Sequence, residues 1–125
     1  MNYVIDSSAL LAVLQKETGY LTVIPLLNGS LMSTVNLSEV LQKVEQKNLQ
    51  IVNLMSNLQT MGIEMIPFTT EQATLTATLW ARYSSLGLSL ADRACLALAQ
   101  SRNAIAVTAD RNWADVSNIQ VQIIR

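Results

Sequence analysis

Histidine is missing from all 125 residues of this chain, and that absence removes more chemistry than any other feature of the sequence. Imidazole acid–base catalysis, His-containing zinc sites and every Ser-His or Cys-His nucleophile arrangement are excluded. The single cysteine, Cys95, rules out an internal disulfide and a thiolate zinc cage, and it suits a reducing cytoplasm. The four glycines are scattered, with no Gly-x-Gly-x-x-Gly, so a dinucleotide-binding loop is not expected. The longest apolar runs, Ala9 to Leu14 and Ala94 to Ala99, fall far short of the roughly 20 residues of a helical membrane span. Met-Asn-Tyr-Val-Ile-Asp at the start lacks the basic region and apolar run of a signal peptide. A cytoplasmic protein without membrane attachment is the expectation. Charge is scarce as well: 14% of residues, with a net value of −1, so the whole-molecule field does not draw nucleic acid. Any RNA binding must come from a local basic rim or from a bound cation.

What remains is carboxylates, hydroxyls and a large apolar fraction. Half the residues are hydrophobic, enough for one compact domain spanning 1–125 and a mild hint that some apolar surface meets another chain. Residues 2–6 read as a strand, followed by a helix carrying Leu10, Leu11 and Leu14. A helix over about 20–27 ends near Asn28-Gly29, and 31–35 reads as a second strand. Asn36 then looks like an N-cap for a helix with the stripe Leu37, Val40, Leu41, Val44. Further helices are expected over 49–61, from Thr69 to about Ser85, and from a Ser89 cap to about Arg102. Strands are expected over 63–68, 104–108 and 121–124. Strands alternating with helices predict an α/β protein with a parallel sheet covered on both faces.

Four acids then fall at telling places. Asp6 ends the first strand, and Asp110 follows the 104–108 strand by two residues. Glu39 and Asp92 are expected in the first turns of their helices. Ligands of open α/β sheets bind beyond the carboxyl ends of the strands, so the four can converge on one cleft. Gathered acids repel one another unless a hard cation such as magnesium or manganese joins them. Such a cation polarises phosphate and acidifies water, which makes phosphodiester hydrolysis possible without histidine. Each acid also has a plainer reading. Asp6 could cap the first helix, and Asp110 could be a turn residue. Glu39, three after Asn36, and Asp92, three after Ser89, both have capping-box spacing. Glu17, Glu45, Glu64, Glu71 and Asp115 read as solvated surface charges, although Asp115 lies close enough to Asp110 for a supporting role.

Four segments together resemble the PIN-domain family, and within it the VapC-type toxins of bacterial toxin–antitoxin pairs. They are Val-Ile-Asp-Ser-Ser-Ala-Leu-Leu-Ala (4–12), Ser-Thr-Val-Asn-Leu-Ser-Glu-Val (33–40), Leu-Ser-Leu-Ala-Asp-Arg-Ala-Cys-Leu-Ala-Leu-Ala (88–99) and Val-Thr-Ala-Asp-Arg-Asn-Trp (107–113). The resemblance covers nearly the whole chain and implies a three-layer α/β/α fold around a central parallel sheet. It assigns catalysis and coordination of Mg2+ or Mn2+ to Asp6, Glu39, Asp92 and Asp110. It gives Ser8, Asn36 and Thr108 supporting roles, with Ser8 and Thr108 at hydroxyl positions that orient the acids or their waters. Asn112 stands where some relatives carry another acid. The resemblance also implies cleavage of structured RNA, a homodimer, and a small antitoxin with a DNA-binding domain that blocks the cleft with a C-terminal segment.

Arg93 and Arg111 each follow a proposed ligand and could contact phosphate at the cleft rim, or simply hold neighbouring acids or be solvated. Lys16, Lys43 and Lys47 could extend such a rim or serve only solubility. Trp80, Tyr83 and Trp113 could stack on bases, with packing the expected role for Trp113. Cys95, among Ala94, Leu96 and Leu98, reads as a small core residue. The leading expectation is a metal-dependent endoribonuclease of the toxin type. The alternatives are a module that binds RNA or a partner without cleavage, and a free-standing nuclease with no antitoxin. A phosphotransfer receiver does not suit Glu39 and Asp92 in helix first turns, and an aspartate-based phosphatase fits poorly because Asp6-Ser7-Ser8 lacks the second acid of such a pair.

Overall fold

The computed structural model describes residues 2–125. Five strands form one sheet: β1 (Tyr3–Ile5), β2 (Leu31–Ser33), β3 (Glu64–Ile66), β4 (Ile105–Thr108) and β5 (Val121–Ile123). Their spatial order is β3-β2-β1-β4-β5, and every pairing is parallel. The helices are α1 (Ser7–Gln15), α2 (Tyr20–Val23), α3 (Thr34–Gln46), α4 (Leu54–Thr60), α5 (Thr70–Arg82) and α6 (Leu90–Arg102), with three short 3-10 turns. Parallel pairing requires crossovers, and the crossovers place helices on both faces, giving three α/β/α layers.

The alternation of side chains along the strands sorts the core into two clusters. Val4, Leu31 and Ala106 face α5 and α6, while Ile5, Met32 and Val107 face α1, α3 and α4. Because both faces are covered, β1 and the first three residues of β4 are apolar instead of alternating with polar ones. Trp113 is fully buried in the first cluster, as its expected packing role requires. Tyr83 is also buried, its hydroxyl donating to the Ser117 carbonyl, so it is not a stacking surface; Trp80 is exposed.

Several boundaries differ from the sequence expectation. Asn36 is not an N-cap: β2 stops at Ser33, whose hydroxyl accepts from the Val35 N–H at 3.2 Å and caps α3. The β-branched pair Thr34-Val35, which reads as strand, is drawn into the helix by that cap. Asn36 is therefore a fully buried helical residue, and Glu39 falls in the second turn. The expected helix over 49–61 shrinks to Leu54–Thr60 because Asn48 and Asn53 adopt left-handed conformations, φ 50° and 54°. The 20–27 helix is split, with α2 ending at Val23 and a 3-10 turn over Ile24–Leu26 that contains Pro25.

Candidate active site at the carboxyl edge of the sheet

After β1, β2 and β3 add to one side and β4 crosses to the other, so the chain reverses its winding between β1 and β4. A crevice at such a switch point is where open α/β sheets bind ligands. Ile5 pairs with Val107, which sets Asp6 opposite Thr108 just beyond the last paired residues. The local backbone holds Asp6 firmly: its N–H donates to the Val107 carbonyl at 2.9 Å, and its own carbonyl accepts from Ala9 and Leu10 to start α1.

Asp6 begins α1 through its backbone, yet its carboxylate makes no capping bond. Capping does not explain the residue. Its carboxylate turns instead into the protein, with the residue 2% exposed. Oδ2 accepts from Ser8 Oγ at 2.6 Å and from Thr108 Oγ1 at 2.9 Å, and Oδ1 accepts from Asn36 Nδ2 at 3.3 Å. An ionised carboxylate can only accept, so both hydroxyls donate to it. Ser8 Oγ also accepts from the Ala109 N–H and Thr108 Oγ1 from the Asp110 N–H, and the two hydroxyl oxygens lie 3.2 Å apart. The turn after β4 thus orients two hydroxyls onto one carboxylate.

Two of the other acids, Asp92 and Glu39, act on this one at longer range, and Asp110 acts on Asp92. Burial pushes the Asp6 pKa up to about 6; the Ser8 and Thr108 hydrogen bonds oppose the rise, and the charges of Asp92 and Glu39 add to it. Asp92 is also raised, first by burial, against its bonds to Ser89 and with Asp110 and Glu39 adding repulsion. Its carboxylate accepts from the Ser89 N–H at 2.9 Å while Ser89 Oγ accepts from the Asp92 N–H at 3.1 Å, so the capping box foreseen at α6 is present. Glu39 does not cap α3; Oε1 accepts from Ser7 Oγ at 2.5 Å. Asp110 caps the 3-10 turn Arg111–Asp115 by accepting from the Asn112 N–H at 2.9 Å. Capping and electrostatic proximity therefore coexist in Asp92 and Asp110.

The four acids share a neighbourhood, but among the described residues no three His, Cys, Asp or Glu side chains are gathered closely enough to hold an ion. The donor set nonetheless suits a hard divalent cation. It offers only oxygen ligands, two of them with pKa values raised in part by their neighbours, and a cation would remove that repulsion. A groove of about 570 Å³ lies elsewhere, lined by residues such as Met55, Leu58, Ile63 and Met65 beside the β3 edge, and none of the four acids lines it.

Of the two candidate rim arginines, Arg93 reaches across to α5, where Nη1 donates to the Thr76 carbonyl at 2.9 Å. Arg111 is exposed, and Nε donates to the Arg125 carbonyl at 3.1 Å. Ser7 is the contact that sequence reading missed. Its only signal was its place beside Asp6, and the pairing with Glu39 across 32 positions appears only in the folded chain.

A parallel three-layer sheet with acids at its switch point defines a class of α/β proteins with a polyacidic edge site. The chain belongs to the PIN-domain family, a family of nucleases: the family model described as PIN domain matches residues 3–119. A search of curated proteins gave no match. Among solved structures, a toxin–antitoxin complex from Klebsiella pneumoniae contains a chain with TM-score 0.77 and 15% identity, covering 98% of both chains. VapBC2 from Rickettsia felis, bound to a DNA fragment from its promoter, gives 0.72 and 18% over 100% of both. DNA-bound VapBC from Salmonella typhimurium gives 0.70 and 17% over 100% of this chain and 99% of that one. At these identities the likeness shows a shared fold.

Proposed function

We propose that this protein is a divalent-cation-dependent endoribonuclease, the VapC-type toxin of a toxin–antitoxin pair. The observation that carries the reading is Asp6: a buried carboxylate, unused by helix capping, held by Ser8, Thr108 and Asn36 and facing the charges of Asp92 and Glu39. Membership of a nuclease family and the likeness to chains from VapBC complexes support it. The fold neighbours also motivate the expectation of an antitoxin partner. A homodimer acting on structured RNA in the cytoplasm completes the reading, and no helix among the described residues is long and apolar enough to cross a membrane.

In this reading Asp6, Glu39, Asp92 and Asp110 hold Mg2+ or Mn2+. The cation supplies charge stabilisation for the phosphate and lowers the pKa of water. Ser8 and Thr108 keep Asp6 oriented by donating to Oδ2, which leaves Oδ1 with only the Asn36 contact. Ser7 holds Glu39. In the reaction, water adds to phosphorus, one ester P–O bond breaks, and the departing oxygen takes a proton.

The separation of the acids favours one competing reading, an RNA- or partner-binding module that does not cut. A cleavage assay separates the two. With magnesium or manganese the purified protein should cut structured RNA, and a chelator should stop it. Asp6→Asn should lower the rate at least 100-fold while the far-UV circular dichroism spectrum stays that of the parent. RNA left intact by the folded parent with either metal, or full activity in the variant, overturns the assignment.

A further inference from the structure

We propose that Asn36 is a positioning residue whose side-chain amide ties Asp6 to the first turn of α6, and so sets the spacing of Asp6 and Asp92 on which cation binding depends. The proposal rests on the reading that these acids hold a divalent cation. Asn36 lies in α3, fully buried. Its Nδ2 has two protons and two acceptors: Asp6 Oδ1 at 3.3 Å and the Ala91 carbonyl at 3.1 Å. Since both partners are acceptors, the orientation of the amide is determined. Ala91 immediately precedes Asp92 in α6. One amide therefore connects the end of β1, the body of α3 and the start of α6, the three segments that carry Asp6, Glu39 and Asp92. Ser8 and Thr108 both bind Oδ2, so the bond to Oδ1 is what fixes the rotation of the Asp6 carboxylate.

The same amide is not optimal for stability. Asn36 Oδ1 is buried and has no hydrogen-bond partner among the described residues. An unpaired buried acceptor is costly, and a leucine would remove it only by leaving Asp6 Oδ1 without its donor. A serine has one proton and cannot bridge both acceptors, whereas an aspartate would add another charge to the cluster. An uncharged residue with two donors on one atom is what the junction calls for.

Asn36→Leu and Asn36→Ser test this in the whole chain, with Mn2+ titrated by isothermal calorimetry and thermal unfolding recorded in chelator. Asn36→Leu should still unfold cooperatively in chelator, yet bind Mn2+ about 10- to 100-fold more weakly than the parent, the usual effect of removing a partner that orients a ligand. Asn36→Ser should fall between the two. A folded variant that binds Mn2+ as tightly as the parent overturns the proposal. If Asn36→Leu loses its fold, Asn36→Ser decides by the same comparison. A parent that binds no Mn2+ overturns the cation reading and this proposal together. A parent that binds Mn2+ and cuts RNA beside an equally tight Asn36→Leu overturns only the positioning role.

Discussion

Asp6 shows how much one side chain can be asked to bear. Its neighbours supply three hydrogen bonds, yet burial still dominates and holds its pKa near 6 against an ordinary 3.8. The difference corresponds to roughly 3 kcal/mol between protonated and ionised forms. The native state binds this proton more tightly than the unfolded chain does, so the stabilisation is complete below 3.8 and is lost as pH rises through about 6. Asp92, raised as well, acts in the same direction. Metal-free protein should therefore lose stability between pH 4 and pH 7 in urea melts. The loss should be smaller in Asp6→Asn, where the principal titrating group is gone. Equal pH slopes in parent and variant would remove Asp6 as the cause. Cys95 lies beneath the same acids: burial first, then the charges of Asp6, Asp92 and Glu39, push its thiol well up, as suits an inert core residue.

At the level of elements, α6 links stability to the site. Ser89 caps it, and the reciprocal bond restrains Asp92, so the residue that starts the helix also orients an acid. Ser89→Ala should cost about 1 kcal/mol in chemical denaturation and raise the Asp92 pKa further, measurable by carboxyl NMR titration. This cap was legible because Ser89 and Asp92 lie three positions apart, and such local geometry survives translation into sequence. The places of Asp6, Asp92 and Asp110 in the fold were legible for the same reason, since strand ends and helix starts are visible in the apolar pattern, whereas Glu39 falls one turn later than expected. Asn36 was not placed correctly: Ser33, three residues earlier, caps the helix instead, a choice between two polar residues that only the backbone decides. The loop before α4 was misread because Leu49, Ile51, Val52 and Leu54 imitate a helical stripe, while Asn48 and Asn53 turn the backbone left-handed. The contacts from Ser7 to Glu39 and from Asn36 to Ala91 span 32 and 55 positions, and no local pattern encodes them.

Across the whole molecule, the edge carrying the site is braced where distant segments touch. Gly19 sits at φ +96°, and a Cβ there would lie 2.5 Å from the Ile124 carbonyl oxygen. Ile124 in turn donates to the Thr108 carbonyl at 2.9 Å, and Arg125 Nη1 donates to the Thr18 carbonyl at 2.9 Å. The corner between α1 and α2 is thereby closed against the end of β5, beside the residue that holds Asp6. Gly19→Ala combines a disfavoured backbone with a backbone clash and should cost roughly 2 kcal/mol in denaturant unfolding. A variant as stable as the parent would mean that this corner yields easily.

The central place of β1 also sets a schedule. Thr108 and Asp6 are 102 positions apart, and β1 lacks a partner on that side until β4 exists. During synthesis, at roughly 5–20 residues per second, the early segments wait several seconds for the strand that closes the sheet. A ribosome-bound fragment ending before Thr108 carries Asp6, Glu39 and Asp92 but not the hydroxyl and turn that orient them. The surroundings of Asp6 are thus incomplete until most of the polypeptide has emerged.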